Sequence, residues 1–144
     1  MTSSVLVRDA RESDMAFVVD AWRRSFEASP AVHGADREHY RAEMTRTIHA
    51  IVGARDTTTR VACDHEDDDV VLGFACFTGP ALDARTSSAT LHYVYVRSDF
   101  RQMGITKSLL DGVDVAHYTF RTLAGERRLH ARERGWKFTP RFTL

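Results

Sequence analysis

The chemistry of this chain concentrates between Val94 and Leu110, in the run Val94-Tyr95-Val96-Arg97-Ser98-Asp99-Phe100-Arg101-Gln102-Met103-Gly104-Ile105-Thr106-Lys107-Ser108-Leu109-Leu110. A β-forming stretch enters a short loop with a single glycine, and a helix starts there. Several main-chain N–H groups at a helix N-terminus lack partners, and the helix dipole adds partial positive charge. Such a turn binds anions and suits a pyrophosphate. Gly104 lets the backbone approach an anion with no Cβ in the way. Arg101 and Lys107 add formal charge, Thr106 adds a hydroxyl, and Leu109 and Leu110 anchor the helix. The segment is not a P-loop, because the first glycine and the Gly-Lys-Ser/Thr ending are missing, and one glycine makes no dinucleotide fingerprint.

The elements that must hold this turn follow from hydrophobic spacing. Val5 to Arg8 reads as a strand. Met15, Val18, Val19, Trp22 and Phe26 recur at three and four and predict an amphipathic helix, with Ser13 and Asp14 offering caps and Ser29-Pro30 ending it. Tyr40, Met44, Ile48 and Ile51 predict a second helix, closed near Gly53. Thr58–Cys63 and Val70–Thr78 read as strands joined by the acidic connector Asp64-His65-Glu66-Asp67-Asp68-Asp69, a hairpin pattern with a solvated tip in the simplest reading. Thr90–Arg97 is the strongest strand. Strict alternation puts His92, Val94 and Val96 on one face, and Leu91, Tyr93 and Tyr95 on the other. Arg101 to about Asp111 reads as loop into helix, and Val113–Phe120 as a strand. Leu123–Arg134 reads as a helix capped by Gly135, and Trp136–Phe142 as a last strand broken by Pro140. The order β-α-α-β-β-β-α-β-α-β predicts an α/β (α+β) fold with a mixed, mostly antiparallel sheet flanked by helices, built as one domain over residues 1–144.

Composition narrows the function. The 144 residues are 43% hydrophobic and 28% charged, ordinary for a globular protein. Lys plus Arg and Asp plus Glu number 20 each, so no overall field drives the chain toward nucleic acid or membrane. The balance is uneven: residues 1–96 carry 10 basic and 15 acidic groups, residues 97–144 carry 10 and 5. A basic last third suits an anionic cofactor, a nucleic acid or the acidic first part of the chain, and two solvated faces are the simplest reading. Cys63 and Cys76 show no metal-ligand spacing and make no disulfide framework, so no metal is expected. With no apolar run long enough to span a membrane and no leader pattern at Met1-Thr2-Ser3-Ser4-Val5, a cytoplasmic location with reduced thiols is expected.

Arg101-Gln102-Met103-Gly104-Ile105-Thr106 resembles the acetyl-coenzyme A motif Arg/Gln-x-x-Gly-x-Gly/Ala of the GNAT N-acetyltransferases, with Thr106 where Gly or Ala is usual. The preceding strand, the Leu-Leu pair and the element order fit from about residue 5 to 136. The resemblance implies acetyl-CoA (coenzyme A) as cofactor, with its pyrophosphate held by the backbone of Gln102, Met103, Gly104, Ile105 and Thr106 beside Arg101. It implies that the pantetheine arm pairs with the backbone of Tyr95 and Val96, while the strand after Val113 splays away to leave a slot. It also implies acetyl transfer to a primary amine by direct attack on the thioester.

Leu91-His92 before the Phe100-Arg101-Gln102 turn resembles the arylalkylamine branch, where a histidine at the matching position relays the acceptor's proton; His92 is therefore the candidate base. The family's tyrosine acid falls on Ala131, four residues before Gly135-Trp136, and is missing. Tyr118 is the candidate replacement, with His117 as the alternating choice and His130 adjacent to the matching position. Tyr93, Tyr95, Trp22 and Phe26 read as packing groups, and Cys63 and Cys76 as buried and inert. The acceptor pocket would take its shape from residues 29–36, where His33 reads as solvated. Small-molecule and peptide amines are the acceptors expected. Nucleic-acid base modification of the kind found in phage GNAT-like enzymes, and a non-catalytic acyl-CoA-binding module, are the alternatives. Members commonly close with two further strands, so this chain is shortened at its end and an exposed last strand points to a homodimer.

Overall fold

The computed structural model describes residues 5–28, 37–79, 88–101, 103–120 and 129–139. Strands β1 (Val5–Asp9), β2 (Thr57–Asp64), β3 (Val71–Thr78), β4 (Ser88–Val96), β5 (Asp114–Tyr118) and β6 (Lys137–Phe138) form one sheet in the order β1-β2-β3-β4-β5-β6. The first four pair antiparallel, whereas β4–β5 and β5–β6 pair parallel. The change of direction forces a crossover, and helix α3 (Ile105–Leu109) lies on it.

Helices α1 (Met15–Glu27) and α2 (Arg37–Val52) cover one face. Their buried side chains are those that the spacing predicts: Val18, Trp22 and Phe26 from α1; Tyr40, Met44, Ile48 and Ile51 from α2. They pack on Val61, Phe74, Cys76 and Tyr93 of the sheet. The Trp22 and Tyr93 rings stack at 5.2 Å, with Phe120 edge-on to Trp22 at 5.2 Å. On the other face Ile105 and Leu109 of α3 pack on Ala62, Leu72, Ala75 and Val96.

Local details depart from the spacing rules. Asp14 does not cap α1 with its side chain. Its carboxylate reaches back instead, accepting from the Arg11 N–H at 2.7 Å and from both terminal nitrogens of Arg8 at 2.7 and 3.2 Å. The Arg8 hydrogen bond holds the Asp14 carboxyl below its usual range, against the opposing cost of burial. The acidic tip between β2 and β3 is exposed at Asp67 and Asp69, but Asp68 pairs with Arg11 at 3.0 Å. The helix expected over Leu123–Arg134 falls partly outside the described residues. Its described end is a run of turns that closes as a Schellman cap: Trp136 N–H donates to Ala131 C=O at 2.9 Å and Gly135 N–H to Arg132 C=O at 3.1 Å, with Gly135 at φ 74°. Ala131 is buried there. Of the last strand only Lys137–Phe138 pairs among the described residues.

Candidate functional site

The site grows from a defect in β4. Tyr93 lies opposite Cys76, yet Leu91 lies opposite Phe77, so His92 is the extra residue of a β-bulge. Alternation therefore breaks at this residue. Leu91 packs beside Val94 and Phe77, on the face of Val96, and His92 leaves the face it was expected to share with Val94 and Val96. The imidazole turns to the α1/α2 side with Tyr93, since it bonds Thr78, which alternates with Phe77 along β3.

Just beyond the bulge β4 and β5 part. Their last rung is Leu91 with Tyr118, closed by the Thr119 N–H donating to the Leu91 carbonyl at 3.0 Å. From His92 to Val96 no described strand pairs with that edge of β4. Peptide groups alternate in direction along a strand. The Arg97 N–H donates to Leu72 on β3 at 2.8 Å, which gives Tyr95 to β3 as well and turns the peptide groups of Val94 and Val96 to the open edge. In agreement, the Tyr95 carbonyl lies 2.5 Å from where a Cβ on Gly73 of β3 would stand. Of the two residues expected to pair with pantetheine, Val96 thus presents its backbone to the slot and Tyr95 does not.

The open edge runs into the glycine turn. Arg101 Nε donates to the Val96 carbonyl at 2.9 Å and ties the loop to the end of β4. Gly104 is the N-cap of α3 at φ 76°, a left-handed conformation that bulky side chains resist, and it has no side chain to cap the first turn. A Cβ there would meet nothing within 4 Å among the described residues, which leave the space over the turn open. Ile105 points its buried side chain into the sheet while its N–H lies in that first turn; Thr106 is half-buried, Lys107 exposed and Met103 55% exposed. Gln102 lies outside the described residues, as do residues 29–36 and His33. Helix α3 has only five residues, shorter than the spacing suggests. Arg60 of β2 explains where it stops: its guanidinium donates to the carbonyls of Leu109 at 3.2 Å and Asp111 at 2.9 Å, opposing the negative end of the dipole.

The two candidate catalytic residues stand on opposite faces of the fork. His92 is 5% exposed, its Nε2 2.7 Å from Thr78 Oγ1 and its Nδ1 2.7 Å from Thr119 Oγ1. Thr78 Oγ1 is in turn 2.8 Å from Thr57 Oγ1. Tyr118 packs with Leu91, Val115 and Trp136, its ring 5.5 Å from that of Phe138. His117 Nδ1 is 3.2 Å from Thr139 Oγ1 in an exposed position. Tyr93 is a packing residue, its hydroxyl 2.7 Å from Ser25 Oγ, and burial pushes its phenol up to about 12. Sequence reasoning missed Thr57, Thr78, Thr119 and Arg60. The threonines read only as β-branched strand formers, and nothing local marks Arg60.

The chain's likenesses match this geometry. The pattern described as "Acetyltransferase (GNAT) family" matches residues 16–133. No curated protein sequence is significantly similar to the chain. Among solved structures, one described as a possible acetyltransferase from Clostridium difficile 630 is similar at TM-score 0.60 and 12% identity, over 99% of this chain and 95% of that one. The histone acetyltransferase HPA2 and related acetyltransferase from Corynebacterium glutamicum ATCC 13032 is similar at TM-score 0.57 and 17% identity, over 88% and 72%. The aminoglycoside N-acetyltransferase AAC(6')-Iy in complex with CoA is similar at TM-score 0.51 and 16% identity, over 100% and 95%. These structural likenesses are of fold; the family pattern spans most of the sequence, and with it the glycine turn and the forked sheet, so the chain belongs to the GNAT acetyltransferase family.

Proposed function

We propose that the protein is an N-acetyltransferase that moves the acetyl group of acetyl-CoA to a primary amine by direct attack on the thioester. Acetyl-CoA is the donor of the family and supplies an activated acyl group. The observation that carries the reading is the left-handed Gly104 opening the first turn of α3 beside the edge of β4 that no described strand pairs with. The residues fit that donor. First-turn N–H groups suit a diphosphate, and the cleared space over Gly104 admits it. The outward peptide groups of Val94 and the Val96 N–H suit an amide-bearing arm added like a strand, while the Val96 carbonyl is held by Arg101.

His92 is the base in this reading. It sits where β4 and β5 part, on the face of α1 and α2, and a histidine ordinarily titrates near neutrality. Amine and donor would then meet at the fork from opposite faces of the sheet. Tyr118 is the candidate acid from the other face, since its backbone closes the last rung. No cysteine nucleophile is involved: Cys63 and Cys76 are fully buried, and burial pushes the Cys76 thiol up to about 12. The acceptor class is a small-molecule or peptide amine. The cytoplasmic setting rests on two free, buried cysteines, and a homodimer on Phe138, 39% exposed on the last described strand.

The test is thiol release from acetyl-CoA against a panel of polyamines, arylalkylamines, aminoglycosides and peptide N-termini, with CoA affinity measured by calorimetry. The expected result is micromolar binding and amine-dependent thiol release. Binding without release for every amine supports an acyl-CoA-binding module instead, and absent binding removes the donor site altogether.

A further inference from the structure

Both ring nitrogens of His92 are held by threonine hydroxyls, Thr78 at the end of β3 and Thr119 just after β5. Thr119 stands at the fork, where its own N–H closes the last rung with Leu91. Thr78 stands on β3 and passes the chain of hydrogen bonds to Thr57. Thr57 is half-buried at the start of β2 and follows an exposed turn, Gly53–Asp56. The order Thr119–His92–Thr78–Thr57 therefore runs from the buried fork to the protein surface, in contacts of 2.7, 2.7 and 2.8 Å.

We infer that these hydroxyls form a proton relay with His92, in which Thr119 receives the acceptor's proton and Thr78 and Thr57 are positioning residues that fix the imidazole with its hydrogen on Nε2. The inference rests on the reading of His92 as the base. Its logic is one of donors and acceptors. A neutral imidazole donates from one nitrogen and accepts at the other, and each hydroxyl has one hydrogen to give. To take a proton at the fork, Thr119 must keep a lone pair facing it, so its own hydrogen goes to Nδ1. Nε2–H then donates to Thr78, Thr78 to Thr57, and Thr57 to water.

When the amine attacks the thioester carbon, the C–N bond forms, the C–S bond breaks and coenzyme A leaves as its thiolate, whose charge balances the proton delivered to water. The amine's N–H proton passes to Thr119 Oγ1 as the Thr119 hydrogen passes to Nδ1. The Nε2 hydrogen passes to Thr78, the Thr78 hydrogen to Thr57, and the Thr57 hydrogen to water. One proton enters and one leaves; the O–H and N–H bonds broken equal those formed, and no charge stays on the relay. Rotation of the three hydroxyls and return of the imidazole to its first tautomer reset the chain. In the opposite polarity Nδ1 already carries the imidazole hydrogen, so Thr119 has no acceptor to which it could pass a proton on.

The test reads the tautomer directly. The folded protein is labelled with 15N-histidine, and His92→Gln assigns the His92 signals. The wild type is expected to show Nδ1 unprotonated and Nε2 protonated. Thr78→Val, which keeps shape and removes the acceptor, is expected to move the hydrogen to Nδ1, where Thr119 can accept it; Thr78→Ser is expected to restore the first pattern. With an amine found in the panel, Thr78→Val should lower kcat by roughly 10- to 100-fold, less than the roughly 10²- to 10⁴-fold that a general acid or base itself contributes, because Thr78 positions the base and does not replace it. KM for acetyl-CoA should stay unchanged, and Thr78→Ser should recover the rate. A wild type carrying its hydrogen on Nδ1, or a Thr78→Val protein that keeps it on Nε2, overturns the relay. Undiminished turnover in His92→Gln overturns the base assignment itself. A dead His92→Gln beside a fully active Thr78→Val overturns the relay alone.

Discussion

Replacing Gly104 by valine separates what the fold needs from what the donor needs. The backbone there sits at φ 76°, and the new Cβ meets no atom within 4 Å among the described residues. The cost to the fold is therefore conformational alone, on the order of 1–3 kcal/mol for a β-branched residue in the left-handed region. A domain of this size commonly holds about 5–15 kcal/mol, so it stays folded. At about 4 °C per kcal/mol for a chain of this length, Tm should fall by roughly 4–12 °C. The same isopropyl group stands in the open space over the first-turn N–H groups. Blocking two hydrogen bonds to a diphosphate, each about 1.5–3 kcal/mol, removes about 3–6 kcal/mol of binding. That is a loss of roughly 10²- to 10⁴-fold in CoA affinity. Gly112→Val is the matched control, because Gly112 has φ 75° and equally open surroundings but follows the far end of α3. Calorimetric titration with CoA and a thermal melt on both variants give the two readouts. Equal Kd values for Gly104→Val and the wild type, or an equal loss in Gly112→Val, would refute the reasoning.

Gly73→Ala should act on the fold instead: its Cβ would stand 2.5 Å from the Tyr95 carbonyl and 3.1 Å from the Val96 Cα, both backbone, so a Tm drop larger than that of Gly112→Val is expected in thermal melts. Cys63 and Cys76 are fully buried and burial raises both thiols, so an aromatic disulfide reagent should label neither in the native protein and both in guanidinium; rapid native labelling would contradict this packing. Asp14 has a folded pKa below its ordinary value, so it contributes stability that is present above the ordinary carboxylate range near pH 4 and lost as pH falls through the lower folded value. Asp14→Asn should flatten that acid limb in denaturant titrations, and an unchanged slope would deny the Arg8 pairing its role. Tyr93, raised to about 12, contributes stability that is full below pH 10 and fades as pH rises toward 12, so Tyr93→Phe should shrink the alkaline loss of Tm.

What the sequence made legible, and what it concealed, follows from the range of the forces involved. The apolar faces of α1 and α2 are a matter of spacing within one element, and Val18, Trp22, Phe26, Tyr40, Met44, Ile48 and Ile51 are buried as that spacing predicts. The glycine turn was legible because Gly104 serves a local need, a positive φ at the start of a helix. The bulge at His92 was not, since a period-two pattern carries no mark of an extra residue, and one insertion moves every side chain upstream of it to the other face. The threonines around His92 come together from β2, β3 and the end of β5, a meeting that only the sheet order creates. Asp14 was read as a helix cap, but the guanidinium of Arg8, six residues earlier on β1, competes more strongly for its carboxylate. Arg60 and α3 lie about fifty residues apart, beyond any local pattern.

The Arg60 clamp bears on the order in which the molecule assembles. A helix of five residues has almost no stability by itself, since nucleation alone exceeds what so few internal bonds return. Its carbonyl end is held by a strand laid down 49 and 51 residues earlier, so the two must be brought together across a long intervening chain. The glycine turn proposed to hold the diphosphate should therefore take shape late, after the central strands have found their register. A newly made chain has to complete most of its folding before the donor nucleotide can help to stabilise it.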